Sequence, residues 1–90
     1  MQYRDRTKII SQILEVANGI SSTRTKIMYK AYLSHNQLCA HLTELQDNGL
    51  LEYKLGEQTY ITTQKGKRYL EIYNTMNELT SLSEEESSAL

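Results

Sequence analysis

Hydrogen-bonding side chains cluster near the start of one predicted helix. Ser34 is a good N-cap residue and Gly49 a good residue to follow a helix end, and Leu38, Leu42 and Leu45 between them predict a buried stripe. The residues expected to face outward are His35, Asn36, Gln37, Ala40, His41 and Glu44. Such side chains in a first helical turn can reach base edges in the major groove of DNA. A solvated face of an ordinary surface helix is the alternative.

His35, Cys39 and His41 are residue types that bind transition metals. His35 and Cys39 are four residues apart and share a helix face, whereas His41 points about 200° around the helix from Cys39. These three side chains cannot close one tetrahedral zinc site, and the sequence has no second cysteine. We therefore predict no metal and no cofactor. His41 could gain charge near pH 6.5, with a plain exposed histidine as the alternative.

The residue pattern offers little for catalysis. No candidate nucleophile accompanies a base, and no paired carboxylates mark a cleft. The glycines stand singly, unlike those of a phosphate-binding loop, at Gly19, Gly49, Gly56 and Gly66. The sequence therefore predicts that the protein is not an enzyme. Gly66 alone lies inside a predicted helix. Either another backbone approaches closely there, or a glycine is simply tolerated near the end of a helix.

The composition fits one small globular core. Of the 90 residues, 39% are hydrophobic and 23% charged, and the absence of Phe and Trp leaves Leu, Ile and seven Tyr to fill the core. No apolar run approaches the roughly 20 residues that span a bilayer, no signal-peptide pattern is present, and Cys39 is the single cysteine. These features predict a cytoplasmic protein with no membrane partner.

The charge is unevenly distributed. The formal net charge is −1, yet residues 1–30 hold six basic and two acidic residues, and the tail 83–90 holds three Glu. Without that tail, ten basic residues stand against eight acidic ones. Mild basicity permits a nucleic-acid partner without requiring one. The tail is expected either to be mobile or to extend the last helix.

Three helices are predicted in the first half of the chain. Apolar spacing indicates a first helix over 5–18 and a short basic second helix over 23–32, with 20–22 as a short connection whose serines offer capping oxygens to the second helix. Only two residues separate the second helix from Ser34, which is the connection length of a helix-turn-helix.

Beyond Gly49 the pattern changes from helical to strand period. Strands are predicted over 51–55 and 58–62, joined by a two-residue turn with Gly56 at its first central position. Three helices followed by a two-stranded hairpin make a winged helix-turn-helix, whose wing is 55–58. The predicted fold class is α+β and mainly α.

A last, long helix is predicted after Thr63, from 64 to about 82. Its apolar stripe is longer than a small core can cover, so we expect a homodimer interface there, with core packing as the alternative. The residues assigned to this interface are Tyr69, Ile72, Tyr73, Met76, Leu79 and Leu82. The predicted organisation is a winged-helix domain over 1–63, a C-terminal helix over 64–82 and an acidic tail over 83–90.

Two motifs, Arg-Thr-Lys-Ile-Met-Tyr-Lys-Ala at 24–31 and a Thr-x-x-Gly helix start at 63–66, resemble the archaeal winged-helix family of small transcriptional-regulator and chromatin-type proteins. The resemblance covers roughly 5–80, and its other matching positions include Leu33, Ser34, Gln37, Leu38, Leu42, Leu45, Gly49, Leu50 and 60–62. It implies DNA binding through the third helix and the wing. It also implies dimerisation through the last helix, packed antiparallel on its mate as a coiled coil.

The third helix departs from the family members that bind DNA broadly, which tend to place Arg or Lys there. This chain has His35, Asn36, Ala40 and His41 instead, which argues against general chromatin packing. Sequence-selective regulation remains open, because Asn and Gln can pair bidentately with adenine. The residues assigned to DNA are Arg24, Thr25, Lys26, Lys30, Ser34, His35, Asn36, Gln37, His41, Lys54 and Gln58. Additional candidates for phosphate contact are Arg4, Arg6, Lys65, Lys67 and Arg68.

The sequence thus predicts a homodimeric, nucleoid-associated transcriptional regulator that binds double-stranded DNA. Helix 34–48 would enter the major groove, and the wing 55–58 would lie on the backbone or the minor groove. The alternative is a winged-helix module for protein interaction without DNA binding. That alternative is motivated by the uncharged third helix and by the nearby acidic residues Glu44, Asp47, Glu52 and Glu57.

Overall fold

The computed structural model describes the backbone of residues 4–89 and the side chains of residues 4–79. Its elements in chain order are α1 (Arg6–Val16), α2 (Arg24–Ala31), α3 (His35–Asp47), β1 (Leu51–Lys54), β2 (Thr59–Thr62) and α4 (Gln64–Ala89). This arrangement confirms the predicted mainly helical α+β fold with a two-stranded antiparallel hairpin. The predictions on the Leu82 side chain and on the tail 83–90 lie outside the described side chains.

Side-chain caps fix the starts of the first three helices. Asp5, Thr23 and Ser34 each accept a hydrogen bond from the backbone N–H three residues later, at 2.9 to 3.2 Å. At Ser34 the cap is a full capping box, because the Gln37 side-chain oxygen also accepts the Ser34 N–H at 3.0 Å. The cap of α3 is Ser34, as predicted, whereas α2 is capped by Thr23 and not by the serines of the preceding connection.

One hydrophobic core lies where α1, α2, α3 and the hairpin meet. The α3 stripe of Leu38, Leu42 and Leu45 is buried, as predicted. It packs with residues from α1 and α2 that are completely buried, namely Ile13, Leu14, Ala17, Ile27 and Ala31. The tightly packed α3 therefore presents a fixed opposite face to solvent.

Helix α4 has one face buried in the core and one apolar face exposed. Leu70, which is not part of the predicted stripe, is 3% exposed and joins the core. The stripe residues Ile72, Met76 and Leu79 are 56 to 63% exposed, so core packing is not their role within the described chain. The start of α4 thus belongs to the core, against which the stripe residue Tyr69 also packs, while Ile72, Met76 and Leu79 lie outside it.

The hairpin loop is longer than predicted. The last strand pair before the loop joins Lys54 to Thr59, which leaves the four residues 55–58 in the loop. The prediction of a two-residue turn centred on Gly56 was wrong. Four-residue loops are usually built around a type I turn, whose first residues need no glycine, and the left-handed conformation falls on Gln58 instead (φ 55°).

Ser22 pairs with the hairpin, although the sequence predicted a short connection there with capping oxygens for the second helix. Its backbone N–H and C=O exchange two hydrogen bonds of 2.8 Å with Tyr60 on β2. The Ser22 side chain is 2% exposed, and its hydroxyl donates to the Val16 carbonyl at 3.1 Å. A bridge of one residue has no alternating pattern, so periodicity could not reveal it.

The end of α3 is bonded to the start of α4, in a region we call the α3–α4 joint (residues 48–50 and 63–66). The Thr63 hydroxyl donates to the Gly49 carbonyl at 2.6 Å, and the Thr63 N–H donates to the Leu50 carbonyl at 3.1 Å. The Lys65 ammonium donates to the Asn48 carbonyl at 2.6 Å. These bonds connect the turn that follows α3 to the first turn of α4.

Gly66 allows the close approach of backbones in this joint. A Cβ atom at this position would lie 2.3 Å from the Leu50 carbonyl oxygen and 2.6 Å from the Thr62 Cγ2. Of the two explanations considered for this glycine, close approach to a neighbouring backbone is the correct one.

Candidate nucleic-acid interface

The most outward residues of α3 are Asn36, Ala40, Thr43 and Asp47, which we call the outward stripe. All four are exposed, and their spacing of four, three and four residues places them opposite the buried leucines. Sequence analysis missed Thr43, although it lies seven residues, or two helical turns, from Asn36. That spacing was the signal that could have found it.

Some polar side chains at the start of α3 are engaged in capping the helix. The Ser34 hydroxyl and the Gln37 side-chain oxygen are both engaged in the capping box. Bidentate pairing of Gln37 with adenine would require that same oxygen. The Asn36 side chain, by contrast, makes no hydrogen bond within the described part of the chain, so it remains available for a ligand.

His35 and Cys39 contact each other along α3. The Cys39 Sγ lies 3.5 Å from the His35 Nε2, as their four-residue spacing predicts. Within the described residues, no three His, Cys, Asp or Glu side chains are grouped closely enough to hold a metal ion.

His41 and Glu44 face α1 rather than solvent, which corrects the outward placement predicted for them. Both are half-buried, and Glu44 accepts a hydrogen bond from Arg6. Burial, together with the positive charge of Arg6, lowers the pKa of His41 below its ordinary value of 6.5. His41 borders the buried leucine stripe, so it is poorly placed to add charge to a DNA-binding face at low pH.

This environment predicts a pH dependence of stability. Because the folded state lowers the pKa of His41, the unfolded chain binds a proton more readily, so stability falls as pH decreases through 6.5. We expect the urea midpoint to be lower at pH 5.5 than at pH 7.5. This decrease should be larger in the wild type than in His41→Gln. His35→Gln is the control for loss of an imidazole. If His41→Gln and His35→Gln altered this decrease in urea midpoint equally, the result would contradict this role of His41.

Cationic side chains from α2 lie beside the wing. Arg24, Lys26 and Lys30 are all exposed. The Arg24 guanidinium donates to the Tyr60 hydroxyl at 3.2 Å, which places it where α2 meets the hairpin. A shallow pocket there is lined by Thr23, Arg24, Thr25, Tyr53, Glu57, Gln58 and Tyr60. The structure therefore brings Arg24, Thr25 and Gln58, all assigned to DNA from the sequence, onto one surface.

The positive charge of the wing is shared with an acidic neighbour. The Lys54 side chain is 40% exposed, and its ammonium lies 3.8 Å from the carboxylate of Glu57, which is 60% exposed. Such an exposed pair contributes roughly 0 to 1 kcal/mol, so Lys54 can exchange this partner for a phosphate at little cost.

Three of the additional phosphate candidates are engaged within the fold. Arg4 donates to the Gln12 side chain at 2.7 Å and to the carbonyls of Ala31 and Tyr32, at the end of α2, at 2.6 and 2.9 Å. Arg6 pairs with Glu44, and Lys65 binds the end of α3. Carbonyls at helix ends attract cations, and this explains why Arg4 and Lys65 stabilise the fold instead of remaining free for phosphate. Lys67 and Arg68 line a shallow pocket on α4.

The fold and the site define a helix-turn-helix domain of the class whose usual ligand is DNA. In the described part of the chain, no helix combines the length and the apolar character needed to cross a membrane. A family model described as winged helix-turn-helix matches residues 3–81. The chain therefore belongs to the winged helix-turn-helix family. No curated protein matches the chain in sequence.

Proposed function

We propose that this protein is a homodimeric transcriptional regulator that binds double-stranded DNA. α3 enters the major groove, and the wing 55–58 lies on the backbone or the minor groove. The observation that supports this proposal best is the exposed polar face of α3, which has no Lys or Arg, beside the cations of α2. The resemblance to archaeal winged-helix regulators supports the same function.

The distribution of charge indicates different roles for α2 and α3 in binding DNA. α3 contains no Lys or Arg, so its outward stripe can contact bases without binding phosphate strongly. Arg24, Lys26 and Lys30 supply the phosphate contacts from α2, with Lys54 added from the wing. If two or three of these four cations contact phosphate in each protomer, the dimer makes about four to six contacts, which give a slope of roughly −3.6 to −5.4 in a plot of log K against log salt concentration.

The direct test is fluorescence anisotropy with a labelled random-sequence duplex of about 20 base pairs, titrated at low and near-physiological salt. Binding that weakens with a slope in this range supports the proposal. Absence of binding even at low salt would contradict it and favour the protein-interaction alternative. The acidic residues Glu44, Asp47, Glu52 and Glu57 would then be the surface to test.

The dimer would form through the exposed face of α4. Ile72, Met76 and Leu79 leave an apolar surface on this face, with the half-buried Tyr69 and Tyr73 beside it. The Tyr69 hydroxyl is buried without a hydrogen-bond partner in the described part of the chain. An antiparallel second copy of the long C-terminal helix would cover the apolar surface.

Analytical ultracentrifugation tests the dimer. The wild type should sediment with twice the chain mass of 10.4 kDa. Ile72→Glu should weaken self-association at least about 100-fold, because it places an unpaired charge in the interface. Asn74→Glu adds the same charge on the opposite side of α4 and should leave the dimer intact. A wild type that is monomeric at tens of micromolar would contradict the proposal.

A further inference from the structure

We propose that the outward stripe of α3 selects A·T base pairs in the major groove. Asn36 would pair with adenine, and the methyl groups of Ala40 and Thr43 would contact thymine methyl groups. This inference rests on the proposed function and names the DNA that the same face recognises.

The structure leaves α3 without a reader of guanine. Bidentate Arg or Lys is the commonest contact to guanine, and α3 has neither residue. The neighbouring cations lie on other helices: Arg6 on α1 pairs with Glu44, and Arg24 on α2 lies beside the wing, where it is assigned to phosphate. A G·C pair facing the outward stripe would therefore leave its O6 and N7 acceptors without a charged donor.

Asn36 is the side chain best placed to read adenine. It is exposed in the first turn of α3, and its amide has both a donor and an acceptor unengaged within the described residues. Adenine offers N7 as an acceptor and N6 as a donor, which one asparagine amide can satisfy together. Gln37, the neighbouring amide, has its oxygen in the capping box, so each α3 carries one fully available adenine reader.

Ala40 and Thr43 continue the stripe with methyl groups. Both are exposed, and thymine presents a methyl group in the major groove that favours apolar contact. Asn36 and Thr43 are seven residues apart, about 10.5 Å along the helix at 1.5 Å per residue. This length corresponds to about three base pairs at 3.4 Å each. Asp47 ends the stripe with a negative charge, which confines base contact to the first part of α3.

Three labelled duplexes of equal length test this selection at one salt concentration: A·T-rich, G·C-rich, and inosine·cytosine. Inosine lacks the 2-amino group of guanine, so an I·C pair has the minor groove of A·T and the major groove of G·C. We expect the A·T duplex to bind at least about tenfold more tightly than the other two, from discrimination of roughly 1–3 kcal/mol per good base contact. I·C binding equal to A·T would assign the preference to the minor groove and overturn the inference.

Base and side-chain substitutions test the individual contacts. Asn36→Ala should lower affinity for the A·T duplex by about 5- to 150-fold. Replacing thymine by uracil, which lacks the methyl group, should weaken wild-type binding about fourfold per contacted methyl, and Thr43→Ser should reduce that loss. Thr7→Ser makes the same chemical change at an exposed position on α1 and should leave the thymine-to-uracil loss unchanged.

The outcomes separate this inference from the function on which it rests. Binding to all three duplexes with equal affinity, or with no effect of uracil, overturns the A·T selection and leaves DNA binding in place. Absence of binding to any duplex at low salt overturns both.

Discussion

Replacing Gly66 by Ala is expected to destabilise the domain by about 3 kcal/mol, the upper part of the usual range for overpacking. The new Cβ would lie 2.3 Å from the Leu50 carbonyl oxygen, which is backbone and cannot rotate away. That carbonyl also accepts the Thr63 N–H at 3.1 Å, so relief of the overlap must break a bond of the α3–α4 joint. A loss of this size lowers the melting temperature of a domain of this length by roughly 15 °C.

Thermal and urea unfolding followed by circular dichroism measures this loss. Gly56→Ala is the matched control, because its Cβ would meet no atom within 4 Å and its φ does not require glycine. This control should change stability by no more than about 1 kcal/mol, in the stabilising direction. If Gly66→Ala melted like the wild type, α4 could move away from Leu50 at no cost, and the joint would not be rigid.

The double variant Lys26→Ala, Lys30→Ala is expected to lose about three orders of magnitude in DNA affinity at 0.1 M salt. Both side chains are exposed on α2, and neither has an acidic partner among the described residues. A dimer would lose up to four phosphate contacts, each contributing about 0.9 to the salt slope and roughly a factor of eight at this concentration. The slope itself should become shallower by about 3.6.

The control for this variant is Lys8→Glu, which changes the net charge by the same two units at one exposed position on α1. We expect at most about a tenfold loss for it, from the reduced overall charge. Anisotropy titrations at three or more salt concentrations give both affinity and slope. An unchanged slope in Lys26→Ala, Lys30→Ala would show that α2 does not contact phosphate, and equal losses in both variants would assign the effect to net charge.

The helices could be predicted because their signals are local. Ser34 and Gln37 form the cap of α3 within four residues, and the leucine stripe that follows repeats at helical spacing. Thr63 was likewise identified as the cap of the last helix, and its hydroxyl accepts the Gly66 N–H at 3.1 Å. Interactions within one or two turns leave a pattern in a single sequence.

Features that depend on contacts distant in sequence could not be predicted. Ser22 bonds to Tyr60, 38 residues later, and Leu70 joins a core formed by earlier helices. The candidate site shows the same limit: sequence identifies the cations, but only the packed chain distinguishes Arg4, used within the fold, from Lys26, left exposed.

The α3–α4 joint also bears on operator geometry. In the proposed dimer, α4 fixes the position of one protomer relative to the other, and the joint fixes α3 relative to α4. The two recognition helices would then be held at one separation and one angle, without a flexible linker between them. Inserting a single base pair between operator half-sites rotates one of them by about 34°, since DNA has 10 to 10.5 base pairs per turn. A dimer with a rigid joint would tolerate such an insertion only by deforming the DNA, so regulated sites should share one half-site spacing.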